Sequence, residues 1–173
     1  MTRTLVSGIA ALAALVIAGV GLSSWAEEDA FDPVRMARAM EQASVTLEQG
    51  LKASEAQGTP ISAKFEVENV TLQLSVYTMK GGTFSEVIVD HKTGTIGKSE
   101  AITGGDDLKE AQAQAAAMNT GWIPLAAALG SALQANSGYR AVSIEPVPDS
   151  GHPVARIVLM KGQEVRRVVQ MLY

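Results

Sequence analysis

Lys64-Phe65-Glu66-Val67-Glu68-Asn69-Val70-Thr71-Leu72-Gln73-Leu74-Ser75-Val76 alternates apolar and polar residues on both sides of a polar break at Glu68-Asn69. Phe65 and Val67, then Leu72, Leu74 and Val76, fall on one side of the chain. Lys64, Glu66 and Glu68, then Thr71, Gln73 and Ser75, fall on the other. A period of two is the pattern of half-buried antiparallel strands, with one face on a core and one toward water. Lys80-Gly81-Gly82 predicts the next turn, and a strand from Phe84 to Asp90 follows it. Asp90-His91-Lys92-Thr93-Gly94 closes that strand with turn-forming residues.

Upstream the period is helical. Asp32-Pro33 reads as a helix start, a side-chain acceptor followed by proline where no amide hydrogen is needed. Met36, Met40, Ala43, Leu47 and Leu51 then form one apolar stripe. Ser44-Val45-Thr46 can divide it into two helices, with Thr46 capping the second. Gln57-Gly58-Thr59-Pro60 ends the pattern.

Downstream, Gly104-Gly105-Asp106-Asp107 reads as a linker with a fresh helix cap. Leu108, Ala111, Ala115 and Met118 mark an Ala-rich helix that stops at Asn119-Thr120-Gly121. Pro124 opens a helix carrying Leu125, Leu129 and Leu133 on one face. Val142 and Ile144 begin a strand, and Pro146 to Pro153 reads as a breaker-rich loop. Val154 to Met160, Lys161-Gly162 and Val165 to Leu172 form a hairpin.

The two halves superimpose as sequence. Val45, Leu47 and Leu51 match Ile123, Leu125 and Leu129 at an offset of 78. Phe65, Val67 and Glu68 match Val142, Ile144 and Glu145 at 77, and Met79-Lys80-Gly81 matches Met160-Lys161-Gly162 at 81. The expected class is α+β: two repeated units, each with helices packed on one face of a small antiparallel β-sheet. The expected boundaries are 1–26 for a signal peptide and 27–103 for the first unit. A linker and helix take 104–120, and the second unit 121–173.

Val45-Thr46-Leu47-Glu48-Gln49-Gly50-Leu51 and Val87-Ile88-Val89-Asp90-His91-Lys92-Thr93-Gly94 resemble the helix and the closing turn of the PepSY domain family. The second half has the helix and the hairpin, but Met171 stands where the closing Asp would fall, so it resembles a truncated or divergent copy. The resemblance implies an exported or envelope module of helix-on-sheet type with no shared catalytic residues. Some such modules occur in propeptides of thermolysin-like peptidases, where an inhibitory or chaperone role has been proposed.

The N-terminus points to the same compartment. Arg3 precedes an uncharged apolar run from Leu5 to Leu22, and Ser24-Trp25-Ala26 offers the small-x-small pattern of signal peptidase. The run is also about the length that spans a bilayer. Gly19, Gly21 and the acidic Glu27-Glu28-Asp29 favour cleavage after Ala26 and a periplasmic or secreted product. Cleavage removes Arg3 alone among charged residues, shifting the net charge from -4 to -5. An acidic chain lacks the phosphate-neutralising charge that nucleic-acid binding needs. With no cysteine there is no disulfide, thiol nucleophile or thiolate metal site.

The chemistry-bearing residues read as structural. His91 and His152 are the only histidines, each at a turn or loop, and too few for a metal site. Ser137-Gly138 and Ser150-Gly151 read as turn formers rather than nucleophiles. Gly104-Gly105-Asp106-Asp107 lacks the alternating acids of a calcium loop. Lys80-Gly81-Gly82 lacks the following helix of a phosphate loop. Asp90 with Thr93-Gly94 reads as an Asx-type turn, and Met36, Met40 and Met118 as helix packing. No catalytic, cofactor-binding or metal residues are assigned, and no cofactor is expected. The function expected is an exported, non-catalytic protein-binding module, with modulation of peptidases as the role that the resemblance implies. The alternative is a binder or sensor of a small envelope ligand in a cavity between helices and sheet. The partner expected is another envelope protein, or a second copy, paired through the C-terminal edge strand Val165 to Tyr173. No nucleic acid is expected, and no membrane after signal cleavage.

Overall fold

The computed structural model describes residues 31–173. The expected signal peptide, 1–26, and its cleavage site lie outside the described residues. Element order is α1 (Pro33–Met40), α2 (Leu47–Ser54), β1 (Thr59–Glu68), β2 (Thr71–Lys80), β3 (Thr83–Val89), β4 (Ile96–Ile102), α3 (Gly105–Thr120), α4 (Leu125–Ala135), β5 (Arg140–Asp149), β6 (His152–Lys161) and β7 (Glu164–Met171). The class is α+β, as expected.

The helix starts follow from their caps. Asp32 Oδ1 accepts the Val34 and Arg35 amides at 2.9 and 3.1 Å. Thr46 and Gln49 make a reciprocal capping box: the Gln49 amide donates to Thr46 Oγ1, and the Thr46 amide to Gln49 Oε1. Helix α3 starts differently. Its N-cap is Gly104, with no side-chain cap, while Asp106 and Asp107 sit in the first turn, where the helix dipole favours acids.

The strands form one antiparallel sheet in the order β4-β3-β2-β1-β5-β6-β7. Two lobes with separate sheets were expected. Instead the halves join through a short β1–β5 ladder, Ala63 opposite Ile144 and Lys64 opposite Ser143. Joining the two inner strands removes two edges whose backbone groups would otherwise need other partners. β1, β2 and β3 begin at Thr59, Thr71 and Thr83; β5, β6 and β7 each begin 81 residues later. The register breaks at Pro60/Ser62 and Ala141/Ser143 share that offset. The offset of 77 read for the first strand pair is therefore four residues short. Alternation alone scores equally well after a shift of two or four residues.

Two sequence readings are corrected by the strands. Pro146 to Pro153 is not a loop: β5 runs to Asp149, β6 starts at His152, and only Ser150-Gly151 turns between them. Pro146 and Pro148, two residues apart, lack amide hydrogens on the same side of the strand. The β1 ladder stops at Ser143 and Ile144, so they interrupt no pairing there. The segment after Gly94 is also a strand, β4, pairing β3 from Ile96 to Ile102. It is exposed along most of its length and so carries little apolar signal.

Helices α1, α2 and α4 share one face and one core. Leu47 and Leu51 of α2 and Leu125 and Leu129 of α4 are buried with Phe65, Leu74, Val76, Ile144, Ile157 and Leu172. Gly50 permits the approach of α2, since a Cβ there would lie 2.7 Å from a Leu74 methyl. Helix α3 lies on the opposite face. Its Ala111 and Ala115 pack on Ile61 and Tyr77 in a second cluster. The helix expected to belong with a linker is thus a third layer of the domain.

Candidate functional site: the open C-terminal edge

β7 is an edge strand. In the first half β3 is covered by β4, but among the described residues β7 has β6 on one side and no strand on the other. Its paired backbone is held firmly, from Val154 opposite Met171 to Lys161 opposite Glu164. The unpaired side leaves a row of N–H and C=O groups, which natural proteins blunt, cover or use.

The chain end is locked down beside this edge. Leu172 is fully buried. Its amide donates to the Pro153 carbonyl at 3.1 Å, and its carbonyl accepts the Trp122 and Ile123 amides at 2.8 and 3.0 Å. The entry to α2 is built the same way: the Ser44 and Val45 amides both donate to the His91 carbonyl at 3.0 Å.

Around that anchor sits an exposed apolar patch. Trp122 is 75% exposed, Met171 63% and Val169 50%. Trp122 meets Tyr173 edge-on at 6.2 Å, and His152 stacks on Tyr173 at 4.8 Å. Trp and Tyr at a partly exposed site supply large contact area at low cost in side-chain entropy. Sequence reading selected the strand with Tyr173 at its end and missed Trp122 and His152 beside it. Trp122 arrives from the α3–α4 loop, fifty residues away in sequence.

The near end of the edge is clamped. Arg166 donates to Asn136 Oδ1 and to the Tyr139 hydroxyl, each at 2.8 Å, and its guanidinium lies 4.4 Å over the Tyr139 ring. The Tyr139 hydroxyl donates to Glu164. That hydrogen bond, with Arg166 behind it, holds the Glu164 carboxyl below its ordinary range, and it raises the Tyr139 phenol.

The other singled-out residues fall as follows. His152 opens β6 and belongs to the aromatic patch. His91 sits at its expected turn and is half-buried. Its Nε2 is buried without a partner, and its carbonyl anchors α2. Asp90 forms the expected Asx turn, with Oδ1 accepting the Lys92 and Thr93 amides at 2.8 Å, which lowers its pKa. Lys80-Gly81-Gly82 is a hairpin tip, with both glycines at positive φ. Ser137 and Ser150 sit in turns. Met36 and Met40 are core residues, and Met118 packs against both clusters.

A cleft of ≈ 650 Å³ opens between the α2 end, the β2–β3 tip and the α4 start, with Leu51, Met79, Met118 and Leu125 among its walls. Among the described residues no group of three or more His, Asp or Glu side chains is placed to hold a metal ion. No helix there is long and apolar enough to cross a membrane. Comparison with protein-family models, with curated proteins and with solved structures finds no match.

Proposed function

We propose that this chain is an exported, non-catalytic binding module that takes up an extended segment of another envelope protein at the open side of β7. The observation that carries the reading is the edge itself: β7 ends the sheet among the described residues, and Trp122, Val169, Met171 and Tyr173 are exposed beside it. Strand addition supplies main-chain hydrogen bonds, and neighbouring side-chain contacts select the partner.

Self-pairing fits less well. An antiparallel pair of β7 strands centred near the middle of the strand brings the Arg166-Arg167 pairs of two copies close together, and like charges facing across strands are destabilising. A partner strand with acidic or neutral residues at those positions avoids the conflict.

The domain reading is a tandem of two PepSY-like units, the second lacking the strand that closes the first. The common offset of 81 across three strand pairs supports it. So do the matching double hydrogen bonds onto His91 and Leu172, which are 81 residues apart as well. An export signal over 1–26, a periplasmic or secreted location and a modulating role toward peptidases complete the proposal. They rest on the leader-like N-terminus and on the family resemblance.

A photo-crosslinking residue at position 169 tests the reading in the exported protein. Crosslinks should map to an extended segment of a different protein, and amides 165–171 should gain hydrogen-exchange protection on binding. Val169→Lys and Met171→Lys, both at exposed positions, should weaken capture without loss of fold. Capture that is unchanged in both variants, or crosslinks only between copies of this chain, overturns it.

A small-ligand function is the second reading, favoured by the ≈ 650 Å³ cleft, which is within the range of small-molecule sites.

A further inference from the structure

The ≈ 650 Å³ cleft at the Thr59 end of the sheet is walled from both helical layers. Leu51 of α2 and Leu125 of α4 come from one face, and Met118 of α3 from the other. Pro60 and Met79 add to the apolar wall. Leu51 and Leu125 are buried, while Pro60, Met79 and Met118 stay partly exposed. Apolar surface left half-covered inside a concavity is what the apolar part of a ligand removes from water.

The polar groups around the cleft divide unevenly. On the α2 side the acceptors are occupied. The Leu51 carbonyl takes the Ser54 hydroxyl at 2.8 Å, and the Ser54 carbonyl takes the Gln57 amide at 2.9 Å. Glu55, the one acidic side chain of the lining, holds Lys52 Nζ at 2.6 Å. The donors are not occupied. Lys80 is the one cationic side chain of the lining, and its ammonium has no partner among the described residues. Helix α4 opens into the same lining with Pro124 as its N-cap, no side-chain cap and no acid in its first turn. The Pro124 carbonyl takes the Ala127 and Ala128 amides. The Leu125 and Ala126 amides, ahead of them, have no acceptor among the described residues. Thr59, the remaining polar side chain of the lining, can donate as well as accept.

We propose that this cleft binds a single-chain amphiphile with a carboxylate head, a free fatty acid. The hydrocarbon chain covers Leu51, Pro60, Met79 and Met118. The carboxylate answers the Lys80 ammonium and the amides at the start of α4, where the helix dipole favours an anion. A neutral amphiphile leaves the ammonium unanswered, and a cationic one finds the one acid already paired. A small polar anion leaves the apolar walls wet. The proposal names the ligand for the small-ligand reading of this cleft and rests on that reading.

Calorimetric titration of the exported protein with decanoate, 1-decanol and decyltrimethylammonium at neutral pH tests it, in about 0.15 M NaCl to screen nonspecific attraction. Decanoate should saturate at one molecule per chain and bind roughly tenfold tighter than the other two, the worth of one hydrogen bond to a charged group. Methyl resonances of Leu51, Met79, Met118 and Leu125 should shift on binding. Lys80→Met, at an exposed position, should weaken decanoate roughly fivefold and leave decanol unchanged. Ala126→Asp, also exposed, adds an acid where the helix accepts one, and should weaken decanoate about tenfold through repulsion of the head. Decanol that binds as tightly as decanoate, with neither variant altered, overturns the proposal and leaves the small-ligand reading standing. Absence of binding by all three probes at millimolar concentration overturns both. Shifts confined to methyls outside the cleft overturn the proposal as well.

Discussion

The carbonyl oxygen of Leu172 accepts the Trp122 amide at 2.8 Å, tying the last strand of the chain to the loop that enters α4. The same oxygen takes the Ile123 amide, so the rigidity of the exposed aromatic patch depends on a backbone contact. That contact needs glycine at 121. A Cβ there would lie 2.7 Å from the Leu172 carbonyl oxygen and 3.0 Å from its Cβ.

Two glycine-to-alanine changes should therefore have opposite signs. Gly121→Ala must push the Leu172 backbone away and should cost about 1–3 kcal/mol. Gly130→Ala lies within α4 with no atom within 4 Å of the added Cβ. It should stabilise by about 0.5–1 kcal/mol through helix propensity. Urea denaturation of both variants measures this, and a shared sign would refute the packing described at Gly121.

Val70 holds φ +68° in the two-residue turn between β1 and β2, with its side chain 87% exposed. A β-branched residue is strained there, and the exposed side chain contributes little packing in return. Val70→Gly should raise stability by about 1 kcal/mol. A thermal or urea midpoint at or below that of wild type contradicts this.

Arg140 joins the two halves of the chain. Its guanidinium donates to the carbonyls of Met40, Ala43 and Val45 at 2.9, 3.1 and 3.3 Å. These are the groups at the α1 end and in the connection to α2. Arg140→Met keeps the apolar stem and removes the donors. It should cost roughly 1.5–3 kcal/mol and speed hydrogen exchange at Ser44 and Val45. Unchanged exchange at those amides would show that the link is held by other contacts.

The Glu164 cluster sets a pH dependence at the clamped end of β7. The folded carboxyl lies below its ordinary value of 4.5, held there by the Tyr139 hydrogen bond and then by Arg166. A depressed acid binds fewer protons when folded than when unfolded. Its contribution is complete above about pH 4.5 and is lost as pH falls through the lowered value. The group is exposed, so the contribution is small. Carbon-13 titration of the Glu164 carboxyl should show the depression, and Tyr139→Phe should return it toward 4.5. A Glu164 that titrates at or above its ordinary value in the wild type refutes the clamp.

Much of the local structure was legible in the sequence. Asp32-Pro33 and Thr46 declare helix starts because their side chains replace missing backbone partners within three residues. Lys80-Gly81-Gly82 and Asp90 to Gly94 declare turns because few residues accept those backbone angles. Alternation from Lys64 to Val76 declares strands because side chains on a pleated backbone point to opposite faces. Each signal acts over a few residues, and each was found where the sequence placed it.

Long-range choices were not encoded in that way. Alternation does not say which strands pair, so one seven-stranded sheet replaced two small ones, and β4, whose two isoleucines stand at its ends with no alternation between them, gave no strand signal. The apolar stripe of α3 does not say which face it covers. Its place opposite the other helices decided that Gln114 would be buried beside carboxylates. The strand Val165 to Tyr173 was legible as a strand, but Trp122 and His152 meet Tyr173 only because Leu172 is anchored between their elements. These features depend on contacts between distant residues, whose free energy appears only once loops have closed and both faces of the sheet have been filled.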